Sequence, residues 1–218
     1  MSTATIVPTV VAGTTSHRRT GQIDNRFVYA SFALAYLVGH GAAALSQGTD
    51  PLVNLPGWLP MTLLATGIVA GSVAATVAST RAQRSAPAAE ALSGKLLGIA
   101  WVTGFTALFL AITGLANTLD MPELQTVLWP TGSAFVVGLI YLAEGAARRN
   151  VLHYTLGSWL ALISTASLFL TLGSWLALIS TASLFLGTPG PFWILAIAGG
   201  GAYAIAAMLE TRRLATRD

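Results

Sequence analysis

LHYTLGSWLALISTASLFLTLGSWLALISTASLFL, residues 152–186, contains no Asp, Glu, Lys, Arg or proline over 35 positions. A helix needs about 20 predominantly apolar residues to cross a hydrocarbon core of about 30 Å. The stretch is therefore long enough to cross a membrane, and it is longer than one crossing requires. It predicts an integral membrane protein.

The rest of the chain has the same apolar character. Of the 218 residues, 54% are hydrophobic and 9% are charged, whereas a soluble domain carries about 25% charged residues. Five further apolar stretches of about 20 residues lie at 27–46, 58–79, 96–116, 130–147 and 191–209. The sequence therefore predicts an all-α, polytopic transmembrane helical bundle with six crossings.

The basic residues occupy alternate loops. All 11 Lys and Arg residues lie before the first span, between the second and third, after the fourth or after the last. The loops at 47–57, 117–129 and 187–190 contain none. By the positive-inside rule, this distribution predicts a multi-pass protein of the inner (plasma) membrane with both termini in the cytoplasm. The number of crossings is then even, so residues 152–186 cross once.

Each span expected to start from the outer face opens with tryptophan and proline. These residues are Trp58 with Pro60, Trp129 with Pro130, and Pro191 with Trp193. Proline suits the first turn of a helix, where its missing N–H costs nothing, and tryptophan suits the headgroup region. We therefore expect three helical hairpins at 27–209, between a disordered cytoplasmic tail at 1–26 and a second cytoplasmic tail at 210–218.

The overlong fifth region contains a tandem duplication. Thr155–Leu170 and Thr171–Leu186 are identical, which indicates a recent natural duplication, an engineered insertion or a sequence-assembly artefact. A helix over all 35 residues of 152–186 would be about 52 Å long, about 20 Å longer than the hydrocarbon core. We expect a long or broken helix that crosses once, with any break near Gly173, where glycine relaxes the backbone.

Ionisable residues are rare inside the predicted spans. His40 lies deep in the first span with Tyr36 one turn earlier, and Glu144 lies near the end of the fourth span with Tyr141 one turn earlier. Burying such groups in a membrane costs free energy, so they indicate a functional site by default. These four residues form the candidate intramembrane polar site. In the structural alternative, His40 is a neutral imidazole bonded to a neighbouring helix, and Glu144 pairs with Arg148 at the interface.

No catalytic, cofactor or metal site is predicted, and we do not expect an enzyme. The chain has no cysteine, and the HExxH, phosphate-loop and Gly-x-Ser-x-Gly patterns are absent. We expect His153 and Tyr154 to be an amphipathic anchor at the inner interface. Topology accounts for the basic residues, so we expect no nucleic-acid partner.

The leading functional hypothesis is a transport-associated protein, either a small permease or the membrane subunit of an exporter. The chain has no nucleotide-binding motif, so any ATP would be hydrolysed by a separate ATPase subunit. Beside the lipid bilayer, the expected partners are that subunit or a second copy of the chain. The alternative is a non-transporting membrane protein, such as an immunity, sensory or assembly factor. The excess of arginine over lysine is typical of a GC-rich bacterial genome.

Overall fold

The computed structural model describes residues 23–48, 50–84, 86–176 and 189–216, and its regular structure over them is helical. Six helices are long and apolar enough to span a membrane, so the chain is a polytopic membrane protein. They are α1 (Arg26–Ser46), α2 (Trp58–Gln83), α3 (Ala88–Leu119), α4 (Leu124–Arg148), α5 (Val151–Leu176) and α6, which runs from Pro189 to Ala215. The predicted N-terminal tail lies outside the described residues as far as residue 22.

Several helices extend beyond their predicted apolar spans. α4 begins at Leu124, so Pro130 lies inside the helix and not in its first turn. α6 continues to Ala215, so Glu210, which the sequence assigned to the C-terminal tail, is helical and fully buried. Apolar stretches mark the hydrocarbon core alone, whereas helical hydrogen bonding continues through the headgroup layers, which bring the bilayer to about 40–45 Å.

The helices that pack most closely against each other run antiparallel. α1 lies between α2 and α6, α5 lies between α6 and α4, and α3 packs against α4. Contacts between α1 and α2 illustrate the direction: Gly39 meets Leu64, Ala35 meets Gly67, and Phe32 meets Gly71. α1, α3 and α5 therefore begin at the end of the bundle where α2, α4 and α6 finish. We call this the arginine-rich end, because the described basic residues lie near it.

The core lies between α1, α4, α5 and α6, while α2 and α3 are peripheral. In the most apolar segment of α2, only 6% of the residues are buried, and the share is the same in α3. In α1 it is 50%. Most side chains of the two peripheral helices are thus free to face lipid. The four interior helices position the buried polar residues.

Glycine allows these helices to approach closely. A Cβ added at Gly145 of α4 would overlap the backbone of Tyr154, and one at Gly157 of α5 would overlap the backbone of Leu142. Small residues at helix contacts are a common way to pack membrane helices, because van der Waals contact replaces the hydrophobic driving force. α4 and α5 consequently form the tightest pair in the bundle.

The first copy of the duplication lies within α5, where it packs against the other helices. The apolar span is Val151–Phe169, with 19 residues, and Leu160 and Ile163 are buried within it. The helix is continuous across residues 171–174, where we expected any break, and it is described as far as Leu176. The remainder of the second copy, residues 177–186, lies outside the described residues.

Candidate functional site

The four interior helices enclose a group of polar side chains that we call the interior cluster. It comprises Tyr29, Tyr36 and His40 of α1, Tyr141 and Glu144 of α4, His153 of α5, and Tyr203 and Glu210 of α6. Seven of the eight are buried, and the side chain of Glu144 is 14% exposed. All four residues of the predicted intramembrane polar site belong to this cluster.

His153 connects three helices near the arginine-rich end. Its Nδ1 lies 2.7 Å from the Tyr29 hydroxyl oxygen, and its Nε2 lies 3.3 Å from Glu144 Oε2. The contact with Tyr29 is a hydrogen bond whose donor depends on the imidazole tautomer, whereas Nε2 makes no hydrogen bond of good geometry with a described residue. A hydroxyl, an imidazole and a carboxylate thus stand in series.

The predicted ion pair between Glu144 and Arg148 is present. Arg148 Nε lies 2.9 Å from Glu144 Oε1, at the i,i+4 spacing of a helix. The two oxygens of this carboxylate therefore have different partners, since Oε2 faces His153. The arginine therefore binds one oxygen of the carboxylate, while the imidazole lies beside the other.

The expected role of His153 as an interfacial anchor is wrong. Its side chain is 6% exposed, whereas its neighbour Tyr154 is 43% exposed. The α4–α5 connection explains this difference, because it is short and turns at Arg149, whose φ is 52°. With glycine at 145 the two backbones meet, so His153 points between the helices.

Glu210 is a fully buried carboxylate that was not among the site residues predicted from the sequence. Its Oε1 accepts a hydrogen bond of 2.6 Å from Arg213 and one of 3.5 Å from the backbone N–H of Asn25. Its Oε2 has no hydrogen-bond partner among the described residues. The sequence signal that could have identified Glu210 is its spacing from Tyr203, because residues seven apart lie on one face of a helix.

Aromatic rings fill the centre of the interior cluster. Tyr141 lies against His153 with ring centroids 4.1 Å apart, and its ring meets that of Tyr203 at 6.2 Å. Tyr203 contacts Tyr36 at 5.4 Å, and Tyr36 contacts His40 at 4.7 Å. The two predicted pairs, His40 with Tyr36 and Glu144 with Tyr141, are thus joined through Tyr203.

His40 lies at the other end of this series, about 16 Å further along α1 than Tyr29. It is 3% exposed, and neither ring nitrogen makes a hydrogen bond of good geometry with a described residue. Its ring faces Tyr36 and Phe192. The bond to a neighbouring helix that the structural alternative requires is therefore absent from the part of the chain that the structure describes.

Two π-helical segments meet beside His40. They are Ala35–His40 in α1 and Leu195–Gly199 in α6, and they pack against each other. A Cβ at Gly199 would lie 2.8 Å from the Tyr36 ring. The Trp159 indole N–H of α5 donates a 3.0 Å hydrogen bond to the Ala198 carbonyl. Irregular segments of this kind are rare and occur frequently at functional sites.

The chain matches no protein-family model, no curated protein and no solved structure. Among the described residues, no group of three or more His, Cys, Asp or Glu residues could hold a metal ion. What the interior cluster does must therefore follow from its own geometry. Its groups can donate, accept and carry protons within a largely apolar bundle.

Proposed function

We propose that this chain is a small transport-associated membrane protein, a permease or the membrane subunit of an exporter. The observation that supports this function is the interior cluster. Buried polar and ionisable side chains extend from Glu144 and Glu210 at the arginine-rich end to His40. Ionisable groups within membrane helices are costly and mark ion or substrate pathways.

The π-helical segments support the same function. A transporter must change the relative positions of its helices around a central site. α1 and α6 are both irregular where they touch, at Ala35–His40 and Leu195–Gly199. Because Gly199 has no side chain, the α6 backbone can approach the Tyr36 ring of α1 closely there. These features favour a movement of α1 relative to α6 during transport.

We further propose that the six helices form three hairpins in the inner (plasma) membrane, with both termini in the cytoplasm. The antiparallel contacts and the basic residues at one end of the bundle support this orientation, because positive residues are retained on the cytoplasmic side. The exposed apolar faces of α2 and α3 are available to lipid and to a second subunit.

Purified protein in proteoliposomes provides the test. Vesicles with an imposed pH gradient are screened for uptake of labelled amino acids, sugars and lipophilic amines. We expect at least one compound to accumulate above empty vesicles, and His40→Ala to abolish its uptake. Thr62→Ala, at an exposed position of α2, is the matched control and should transport normally.

The exporter form of the proposal needs a second experiment. If an ATPase partner drives transport, the chain should co-purify with it from native membranes, and vesicles holding both should require ATP. Absence of uptake under both conditions would contradict the proposal and favour the non-transporting alternative. Uptake that is equal in wild type and His40→Ala would place the pathway outside the interior cluster.

A further inference from the structure

We propose that the turn between α2 and α3 binds an anionic phospholipid from the membrane leaflet at the arginine-rich end. Arg84 and Lys95 hold the phosphate group, and exposed apolar residues beside them contact the acyl chains. This lipid site is independent of what the protein transports. It gives the chain a specific lipid partner in addition to the bilayer as a whole.

Arg84 and Lys95 lie beside the point where α2 and α3 touch. A Cβ added at Gly94 would lie 2.8 Å from the side-chain nitrogen of Gln83, so these two residues face each other. Arg84 follows Gln83 and Lys95 follows Gly94, so each lies about 100° around its helix from the contact and about 1.5 Å from it along the axis. Because the two helices are antiparallel, these rotations turn both basic side chains towards the same side of the hairpin.

That side of the hairpin faces away from the bundle. Arg84 and Lys95 are both exposed, and residues four or seven positions from each of them lie on the same helix face. The apolar residues at these positions are also exposed, and they are Val77 on α2 and Ile99 and Val102 on α3. Nothing lies within 4 Å of a Cβ placed at Gly98. The two basic residues therefore border an open apolar surface.

The charges of these two residues are not neutralised within the protein. In the part of the chain that the structure describes, neither Arg84 nor Lys95 forms an ion pair, whereas arginines near the ends of α4 and α6 each pair with a carboxylate of their own helix. Glu90, in the first turn of α3, is five residues from Lys95 and so lies about 140° around the helix. Two exposed cations beside an apolar surface favour an anionic headgroup.

The position of Lys95 favours a phospholipid over a free anion. Exposed apolar residues border it on both sides along α3, Leu92 before it and Leu96 after it. A lysine in such a surface lays its methylene groups along apolar neighbours and extends its ammonium group to the headgroup layer. A phospholipid contacts both parts, because its acyl chains hold its phosphate group at that depth. An anionic lipid also keeps a net negative charge, which a zwitterionic headgroup cancels.

Native mass spectrometry of the purified full chain in detergent tests the site. The protein is titrated with phosphatidylglycerol and with phosphatidylcholine of the same acyl chains. We expect phosphatidylglycerol to bind at least about 10-fold more tightly, and equal affinities would overturn the proposal. Inorganic phosphate in large excess should leave the bound phosphatidylglycerol in place. Its displacement by phosphate would assign the site to a free anion and would also overturn the proposal.

Charge variants locate the bound lipid. Arg84→Gln and Lys95→Gln should each weaken phosphatidylglycerol binding about 5-fold and leave phosphatidylcholine binding unchanged, while Lys95→Arg should retain the preference. Arg212→Gln is the matched control, because it removes an exposed positive charge from α6 at the same end of the bundle. An equal loss in Arg212→Gln would show attraction to the whole basic surface and would contradict a site at the α2–α3 turn.

Melting curves provide a second measurement. A ligand that binds the folded state raises its melting temperature, so phosphatidylglycerol should stabilise the wild-type chain more than phosphatidylcholine does. This difference should shrink in Arg84→Gln and Lys95→Gln and persist in Arg212→Gln. The comparison of the two lipids on the wild-type chain needs no variant, so it decides the proposal even where a Gln variant does not fold.

Discussion

Gly145 and Tyr154 face each other across the α4–α5 turn, and the Tyr154 backbone occupies the space that a side chain at position 145 would need. This contact decides which way the first turn of α5 faces. It directs His153 between the helices, where Glu144 and Tyr29 meet it. A structural glycine on one helix thereby positions a polar residue of the next.

Gly145→Ala should destabilise the protein. The added methyl group overlaps backbone atoms, which cannot move as a flexible side chain can, and we expect a loss of about 1–3 kcal/mol. Thermal melting in detergent measures it. Gly114→Ala is the control, since nothing lies within 4 Å of its Cβ. An equal melting temperature for Gly145→Ala and wild type would show that the α4–α5 contact is loose.

Trp159→Phe should weaken the contact between α5 and α6. The change removes the indole N–H that binds the Ala198 carbonyl at 3.0 Å, and hydrogen bonds between membrane helices contribute about 0.6 kcal/mol on average. Trp58→Phe replaces an indole that is 66% exposed and should be neutral. Comparing the two melting curves measures the bond, and equal curves would assign it no stabilising role.

The two copies of the duplication should respond differently to the same substitution. Gly157→Leu places a side chain against the Leu142 backbone and should prevent normal folding. Gly173→Leu changes the equivalent residue of the second copy and should be tolerated, because Gly157 already provides the contact. Expression level and monodispersity in detergent report the outcome. Equal damage from both would mean that both copies are packed against other helices.

Deleting Thr171–Leu186 should preserve the topology. The deletion leaves residues 152–170, a helix of about 28 Å that matches the hydrocarbon core, so the shortened chain keeps the contacts described for residues 151–169. We expect equal or higher expression and a melting temperature no lower than that of the full chain. Degradation of the shortened protein, or inversion of its C-terminus, would contradict a single crossing by 152–186.

Cysteine labelling should place the arginine-rich end in the cytoplasm. The chain contains no cysteine, so single substitutions report one position each. Ala86→Cys, between α2 and α3, should be shielded from a membrane-impermeant reagent in intact cells, and Asp120→Cys, between α3 and α4, should react. The opposite pattern would invert the proposed orientation without changing the fold.

The six spans were predictable because bilayer thickness sets the length of an apolar helix. Their ends were not, since polar residues such as Glu210 continue the helix beyond the apolar stretch. The pairs within one helix could also be predicted from the sequence. Glu144 with Arg148, and Tyr36 with His40, follow from helical spacing.

The contacts between helices could not be predicted in the same way. His153 and Glu210 belong to the interior cluster because α5 and α6 both lie beside α1. Helical periodicity describes one helix at a time and does not say which helices are neighbours. A buried histidine and an interfacial histidine therefore have the same sequence pattern when they lie at the end of a span.

The duplication also gives the chain two equivalent ways to build α5, because either copy could fill the same place between the other helices. If the second copy occupied the place of the first, each of its 16 side chains would find the same neighbours, and the α4–α5 connection would simply lengthen. Contacts made by the repeat itself are the same in both registers and do not distinguish them. The residues just before the repeat do distinguish them. Tyr154 packs against Gly145, and His153 lies between Tyr29 and Glu144, in one of the two registers only. The contacts of His153 and Tyr154 at the arginine-rich end therefore belong to the register in which the first copy packs against α4.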